Sequence, residues 1–307
     1  MTHPLPTDQQ VHDYLFQRRN WGRWGDADQR GAVNLITPEK RREAAALVRS
    51  GSVVSLSRTV PKAPAPDNFH PPEHGMFVRP QPNGVAGASL DYFGAHTHGI
   101  ANTHLEARCH RWDSDGMWNG RDAKREVTFD GAQWGAVHHW GDEGIITRGV
   151  LLDVPKFRGK PFVAQDEPVH GWELEEIAAA QGTPVRAGDA LCVYSGRDAW
   201  QRANPGRAYG MSRARPGLHP SCLPCLRDHD VSALLWDMLD LLPHGYSVPF
   251  TVHGAIWAYG IALIDNAALE PLAAACAQAN RYEFLLTIAP LKIEGGTGCP
   301  VNPLAVL

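Results

Sequence analysis

Residues 98–110 have the sequence HGIANTHLEARCH and contain the side chains on which the interpretation of this chain depends. His104 and Glu106 are two positions apart, so on an extended segment both side chains point to the same face. An imidazole and a carboxylate that converge in this way can bind one divalent cation. His110 follows four residues after Glu106 and reaches the same pocket if the chain turns there, which suits a general base.

The same residues also fit a simpler interpretation, in which the histidines only form hydrogen bonds within a polar loop. The His-x-Glu spacing is common in proteins, so it does not establish a metal site by itself. A second pair, His253 and Asp265, lies far along the chain. Asp265 or Asn266 would serve equally well as the N-cap of a helix. Spacing alone therefore leaves both interpretations open.

The composition predicts a globular protein, with 307 residues of which 43% are hydrophobic and 20% are charged. We expect one domain over residues 1–307. The formal net charge is −4 and there is no basic block, so nucleic acid is not an expected partner. No apolar stretch is long enough to span a membrane and the polar first residues do not resemble a signal peptide, which predicts a cytoplasmic protein. The six cysteines are expected to be reduced thiols.

The order of the predicted elements indicates an α/β protein with a mixed sheet. Residues 61–86 are rich in Pro, Gly and Asn and predict a long surface loop. The expected helices cover residues 39–48, with Thr37 as the cap, 173–181 and 267–279. The expected strands cover residues 53–56, 149–154, 190–195, 249–253 and 284–288.

Several further segments, together with residues 98–110, resemble the longer members of the cyclase family, which includes kynurenine formamidase and isatin hydrolase. The resemblance runs in order over about residues 20–307. It implies a swivelling β/β/α domain, in which a mixed sheet is rolled toward a small barrel and flanked by helices. The segments are GDADQRGAVNLITP (25–38), MWNG (117–120), ITRGVLLD (146–153), GLHPSCLP (217–224), VHG (252–254), LIDN (263–266), EFLLT (283–287) and GTGCPVNP (296–303).

The metal-dependent formamidases of this family have the pattern H-x-G-T-H-x-D-x-P-x-H, which falls here on residues 100–110. The first histidine of the pattern falls on Ile100, which cannot bind a metal, and the glycine falls on Asn102. The aspartate becomes Glu106 and the proline becomes Arg108. The resemblance therefore implies a metal site without its first ligand. The other residues of the pattern are kept: Thr103, His104 and His110.

The resemblance also implies two distant ligands, which fall on His253 and on Asp265, where the family usually has a glutamate. Two histidines and two carboxylates suit one Zn²⁺ or Mn²⁺ rather than two ions. His98, or Asn102 through its carbonyl oxygen, is a candidate replacement for the missing first histidine. Arg108 would place a cation near the site, which suits either an anionic substrate or a pocket without metal. The implied metal ligands are His104, Glu106, His253 and Asp265.

The resemblance implies hydrolysis of an amide, a cyclic amide or a lactone in a small molecule with an aromatic or carboxylate group. His110, with Glu106 beside it, would take a proton from water and return it to the leaving group. Two alternatives stay open: a metal-independent acid–base cyclase, dehydratase or lyase acting on a small carbonyl compound, and a binding protein without activity. The residues expected around the substrate are His98, Asn102, Arg108, Trp112 and His219.

A homodimer or homotetramer is also implied by the resemblance. The expected oligomer arms are the N-terminal segment, residues 1–35, and the loop over residues 61–86. Trp21 and Trp24 are the candidate interface residues of the N-terminal segment. The alternative is that this segment packs within its own subunit.

Overall fold

The computed structural model describes residues 3–210 and 214–307, and its largest element is a mixed sheet of nine strands. The strands of this sheet are β1 (Val53–Ser55), β4 (His104–Glu106), β7 (Ile145–Asp153), β8 (Ala190–Tyr194), β9 (Ala233–Trp236), β10 (Ala262–Asp265), β11 (Glu283–Ile288), β12 (Gly298–Pro300) and β13 (Leu304–Val306). Two smaller sheets are formed by β2 (Glu73–Pro80) with β3 (Gly87–Gly94), and by β5 (Val127–Thr128) with β6 (Gly131–Ala132).

The nine strands follow the order β1-β13-β11-β7-β8-β9-β10-β4-β12. The four central strands, β7 to β10, are parallel, and the strands on both sides of them are antiparallel. The sheet curls into a half-barrel flanked by helices, which confirms the expected mixed sheet rolled toward a barrel.

The helices are short, and none of those described is long and apolar enough to cross a membrane. The second helix begins as expected, because the Thr37 hydroxyl accepts a hydrogen bond from the backbone N–H of Lys40. The helices are α1 (Asp8–Phe16), α2 (Pro38–Ala45), α3 (Ala123–Glu126), α4 (Val154–Arg158), α5 (Gly171–Ala180), α6 (Arg197–Ala203), α7 (Cys222–Asp228), α8 (Ala255–Tyr259) and α9 (Glu270–Ala279). The described residues also form four 3-10 turns: Gly31–Leu35, Trp118–Gly120, Val137–Trp140 and Val252–Gly254.

Both faces of the central strands are covered by hydrophobic residues. Leu151, Cys192 and Leu235 are paired in register and belong to one core cluster. Their neighbours Leu152 and Val193 point to the opposite face and belong to the other cluster. Burial on two faces explains why these strands are continuous apolar runs in the sequence. All six cysteines are buried and free, as expected.

The prediction of a long loop over residues 61–86 is wrong for its second half, which enters the β2–β3 hairpin. An exposed strand is usually recognised by alternation of apolar and polar residues. Here Met76, Phe77 and Val78 are consecutive and all exposed, so both faces of the hairpin are apolar and no alternation is seen.

The prediction of a strand over residues 249–253 is also wrong, since the chain there forms the 3-10 turn Val252–Gly254. The Asp240 carboxylate explains the turn. Its Oδ1 atom accepts hydrogen bonds from the backbone N–H groups of Val252, at 2.7 Å, and His253, at 3.2 Å. These bonds satisfy backbone N–H groups that would otherwise need acceptors on a neighbouring strand.

The described part of the N-terminal segment, residues 3–35, packs within its own subunit. Val11 and Leu15 of α1 are completely buried in the core. The Trp21 indole donates a hydrogen bond to the carbonyl of Trp257, and the Trp24 ring contacts Trp118. These contacts lie within one chain, and the oligomer arm over residues 1–35 stays a prediction. Residues 1 and 2 of the expected arm lie outside the described residues.

Candidate metal centre

The pairing of β4 with β10 places three of the expected ligands on one face of the sheet. His104 lies directly opposite Asp265, and Glu106 lies opposite Leu263. Residues directly opposite each other in an antiparallel pair point to the same side, as do residues two apart on one strand. His104, Glu106 and Asp265 therefore converge, and all three are buried.

The fourth expected ligand, His253, comes from the turn before α8. Its Nδ1 atom makes a short contact with Asp240, and its Nε2 atom lies 3.3 Å from Oδ2 of Asp265. Asp240 also accepts a hydrogen bond from the hydroxyl of Thr251 at 2.8 Å. Asp240 thus fixes the imidazole ring and turns Nε2 toward the other ligands, as carboxylates do behind many metal-bound histidines.

His98 also joins this group, although it does not belong to the formamidase pattern. Its Nδ1 atom lies 3.7 Å from Oε1 of Glu106. Its ring stacks on the ring of His110 with the centroids 3.6 Å apart. His104 Nε2 and His110 Nε2 lie 3.6 Å and 3.2 Å from the same Glu106 oxygen. Three imidazoles therefore surround one buried carboxylate.

The polar atoms of this cluster lack the hydrogen bonds that buried groups normally make. Four atoms are buried and have no hydrogen-bond partner among the described residues: His98 Nδ1, His104 Nε2, Glu106 Oε2 and His110 Nε2. Leaving such groups unpaired costs about 1–3 kcal/mol each, so their concentration at one point needs an explanation. A divalent cation at this point would take lone pairs from the imidazoles and the carboxylate.

The ligand atoms fall into two overlapping groups. In the first, atoms of His98, His104 and Glu106 all lie within 4.8 Å of one another. In the second, the same is true of Glu106, His253 and Asp265. Glu106 belongs to both groups, and their oxygen and nitrogen atoms form a mixed donor set that Zn²⁺ and Mn²⁺ both accept. The residues present therefore fit a bound metal ion.

The site concentrates negative charge. Burial raises the pKa of Glu106, but its histidine neighbours outweigh this effect and hold its pKa well below the usual range. Burial lowers the pKa of His253, but Asp240 and Asp265 outweigh it and raise the pKa to about 10. Burial lowers the pKa of His110. The Glu106 carboxylate is thus kept ionised at neutral pH, as binding of a cation requires.

A network behind the site fixes the loop that precedes His104. The side-chain amide of Asn266 donates hydrogen bonds to the carbonyls of Asn102, at 3.1 Å, and Gly99, at 2.8 Å. Arg197 donates to the carbonyl of Ile100 at 2.8 Å and also to the side chain of Asn266. His104 is oriented through Nδ1, which lies 3.0 Å from the Asn102 carbonyl oxygen. The Nε2 atom of His104 consequently faces the other ligands.

These contacts bear on several alternatives from the sequence. The backbone carbonyl of Asn102 bonds His104 and Asn266, and the Oδ1 atom of Asn102 is buried without a partner among the described residues. His98 Nδ1 lies 3.7 Å from Glu106, so both residues stay candidates for the place of the missing first histidine. The Ile100 side chain packs against the hydrophobic core. The N-cap alternative for Asp265 and Asn266 is wrong, because α9 begins at Glu270.

Three residues expected around the substrate make no hydrogen bond, ion pair or ring contact with the cluster among the described residues, and their place around the substrate stays a prediction. Arg108 is completely buried, with its guanidinium 3.7 Å from the ring centroid of Trp140, so it places no cation in the cluster. Trp112 is 46% exposed and lines a separate cavity of about 560 Å³. His219 lies 3.1 Å from the hydroxyl of Tyr246, and burial lowers the pKa of His219 to about 4.

Asp240, Asn266 and Arg197 support the site, and sequence reasoning missed these roles. Asp240 follows β9 by four positions, and a carboxylate close to the end of a buried parallel strand is a usable signal for a site. The sequence marks Asn266 only as a candidate helix cap. Arg197 gives no local signal, because its partners Ile100 and Asn266 are distant in the sequence.

The model of the family described as "Putative cyclase" matches residues 2–241, which include β4 and the loop before it. The chain belongs to the cyclase family. No curated protein matches this cyclase-family chain significantly. Its fold is that of a solved structure described as a novel cyclase, with 29% sequence identity and a TM-score of 0.84. That comparison covers 94% of this chain and 99% of the other.

Two isatin hydrolase structures also share the fold of this cyclase-family chain. One is bound to the product analogue thioisatinate, with 17% identity, a TM-score of 0.58, and coverage of 86% of this chain and 94% of the other. The other is isatin hydrolase A from Labrenzia aggregata, bound to benzyl benzoate, with 18% identity, a TM-score of 0.58, and coverage of 85% and 94%. At these sequence identities the comparison shows a shared fold and no more.

Proposed function

We propose that this cyclase-family chain is a metal-dependent hydrolase of an amide, cyclic amide or lactone bond in a small aromatic or carboxylate-bearing molecule. The observation that carries the proposal is the set of unpaired buried atoms around Glu106, contributed by His98, His104, His110 and Glu106 itself. A pocket evolved only for acid–base chemistry would leave these atoms costly to bury, whereas a cation would satisfy those of His98, His104 and Glu106 together and leave His110 for proton transfer. The fold shared with isatin hydrolases supports the same choice.

The proposed ligands of one Zn²⁺ or Mn²⁺ ion are His98, His104, Glu106, His253 and Asp265. A bound ion would supply Lewis-acid chemistry, lowering the pKa of a water molecule and polarising the scissile carbonyl group. His110 lies beside the cluster, with its side chain 15% exposed and its Nε2 atom turned inward, 3.2 Å from Oε1 of Glu106. Its Nε2 atom would accept a proton from water and return it to the leaving nitrogen or oxygen.

Metal content and hydrolysis test this proposal together. Protein purified without an affinity tag should contain about one equivalent of zinc or manganese by plasma mass spectrometry. Dialysis against a chelator should remove the metal and the hydrolysis of isatin-like lactams, aryl formamides or lactones, and added Zn²⁺ or Mn²⁺ should restore both. A folded protein that binds neither metal would contradict the proposal and favour the metal-independent acid–base cyclase or lyase.

Replacing Asp240 by asparagine is expected to weaken metal binding about 10- to 100-fold, because the His253 ring loses the carboxylate that orients it. Metal affinity is measured by competition with a chromophoric chelator. Asp237→Asn is the matched control, since Asp237 is also buried but accepts hydrogen bonds from the backbone N–H groups of Ser195, Gly196 and Arg197. Equal metal affinities of Asp240→Asn and the unmodified protein would show that Asp240 does not position a ligand.

A further inference from the structure

A separate group of potential metal ligands lies between α5 and α7, outside the candidate metal centre. It consists of Glu175, Cys225 and His229, and one ligand atom of each lies within 4.8 Å of those of the other two. None of these residues belongs to β4, β10 or the turn before α8, which carry the candidate centre. A carboxylate, a thiol and an imidazole are the ligand types that zinc sites combine.

The spacing of Cys225 and His229 brings both to the same face of α7. They are four residues apart, and side chains at this spacing are neighbours on a helix surface. The backbone N–H of His229 donates to the carbonyl of Cys225 at 3.2 Å, so the helical path continues as far as His229. α5 packs against α7 and contributes Glu175, whose Oε1 atom lies 3.6 Å from Nε2 of His229. The three ligands thus come from two helices.

The thiol of Cys225 forms the inner end of this group. Cys225 is 3% exposed and forms no disulfide. Within residues 3–210 and 214–307 its sulfur makes no hydrogen bond, whereas the Cys222 thiol donates to the carbonyl of Val169 at 3.4 Å. Burial raises the pKa of Cys225 to about 12, so the thiol keeps its proton at neutral pH. When a metal–sulfur bond forms, this proton passes to water.

A cavity connects the group to solvent. Glu175, Cys225 and His229 line a space of about 480 Å³ whose other walls are mostly apolar. The side chains of Glu175 and His229 are 58% and 36% exposed. A cation can therefore enter from water, and these two side chains can adjust their rotamers around it.

The distances suit a small tetrahedral cation. Bonds of ~2.3 Å to sulfur and ~2.0–2.1 Å to nitrogen and oxygen place the ligand atoms of a tetrahedral Zn²⁺ about 3.3–3.6 Å apart. The 3.6 Å between His229 Nε2 and Glu175 Oε1 agrees with this spacing. A sulfur ligand also favours Zn²⁺ over Mg²⁺ or Ca²⁺, which prefer oxygen. Water from the cavity would supply the fourth ligand.

We propose that Glu175, Cys225 and His229 bind a borderline-soft divalent cation, with Zn²⁺ as the best fit, in a site between α5 and α7. The inference is independent of the proposed hydrolysis, since this group shares no residue with the candidate metal centre. The bound cation links α7 to α5 and stabilises the contact between the two helices.

Co²⁺ is the probe that separates this site from the candidate metal centre. It occupies tetrahedral zinc sites, and a cobalt–thiolate bond produces a charge-transfer absorption band in the near ultraviolet. The ligand groups of the candidate centre contain no cysteine, so Co²⁺ bound there produces no such band. The full chain titrated with Co²⁺ should develop the band, and Zn²⁺ should remove it, because Zn²⁺ binds such ligands more tightly than Co²⁺.

Two pairs of variants assign the ligands. Cys225→Ala should lose the band, and Cys222→Ala, a buried cysteine of the same helix outside the group, should keep it. Glu175→Gln should raise the Kd for Co²⁺ at least about tenfold, since removal of a ligand costs no less than removal of a residue behind one. Glu176→Gln removes the neighbouring exposed carboxylate of α5 and should leave the Kd unchanged. Circular dichroism of each variant verifies that the fold is kept.

Three outcomes would overturn the proposal. One is the absence of the near-ultraviolet band when Co²⁺ is added to the folded chain. Another is a band that persists in Cys225→Ala. The third is an equal Kd for Co²⁺ in Glu175→Gln and the unmodified protein. A protein that lacks the band but still binds zinc and hydrolyses its substrate would refute this site and leave the proposed function intact.

Discussion

Replacing Glu106 by glutamine is expected to abolish metal binding and hydrolysis together, with activity reduced at least about 10³-fold. Glu106 is the one residue shared by both groups of converging ligand atoms, and it is almost completely buried. Glutamine has nearly the same shape, so the packing around it is kept while the negative charge is lost. Loss of Lewis-acid stabilisation, which supplies several kcal/mol, accounts for the expected decrease.

Metal content by plasma mass spectrometry and the rate of hydrolysis are measured on the same preparation of Glu106→Gln. Glu106→Asp is the control, since it keeps the carboxylate but shortens the side chain by one methylene group. It should retain part of the metal affinity and part of the activity. A glutamine variant that binds metal as tightly as the unmodified protein would remove Glu106 from the ligand set.

The sequence predicts well the part of the site that lies on a single strand, β4. His104 and Glu106 lie on one strand, where a spacing of two places both on one face, and the structure confirms that face. The meeting of these residues with Asp265 depends on the antiparallel pairing of β4 and β10, which are distant in the sequence. Only the family resemblance predicted that meeting, because local spacing contains no information about which strands pair.

The spacing of residues in the sequence also does not show which side chain replaces the first histidine of the family pattern. Ile100 occupies the position of the family histidine, but its side chain packs against the core while its carbonyl bonds Arg197. His98 reaches Glu106 because the loop before β4 has an irregular path fixed by Asn266. Side-chain directions in a loop do not follow a fixed period, so the sequence alone leaves both His98 and Asn102 as candidates.

The two wrong predictions in the fold, at residues 61–86 and 249–253, have different causes. The hairpin was missed because a strand that is apolar on both exposed faces lacks alternation, and its Pro- and Gly-rich turn dominates the composition. The false strand at 249–253 has the opposite origin. Its apolar residues fit a strand, but the buried carboxylate of Asp240 satisfies the backbone there and produces a turn. A tertiary contact overrides local propensity in this second case.

His110 and His104 should respond differently to replacement by alanine, which separates proton transfer from metal binding. His104 belongs to a group of converging ligand atoms, and His110 to neither group. His104→Ala should therefore lose the metal and the activity together. His110→Ala should keep the metal and lose about 10²–10⁴-fold in kcat, the usual contribution of a general acid–base residue.

Added imidazole provides the sharpest contrast between the two variants. It can replace the lost proton acceptor in the cavity of His110→Ala, because the His110 side chain is 15% exposed, so partial recovery of kcat is expected there. His104 is 1% exposed, and the same treatment should not restore its variant. If His104→Ala kept both metal and activity, the hydrolase proposal would be wrong. If His110→Ala lost the metal, His110 would be a ligand, and another group would have to carry the proton.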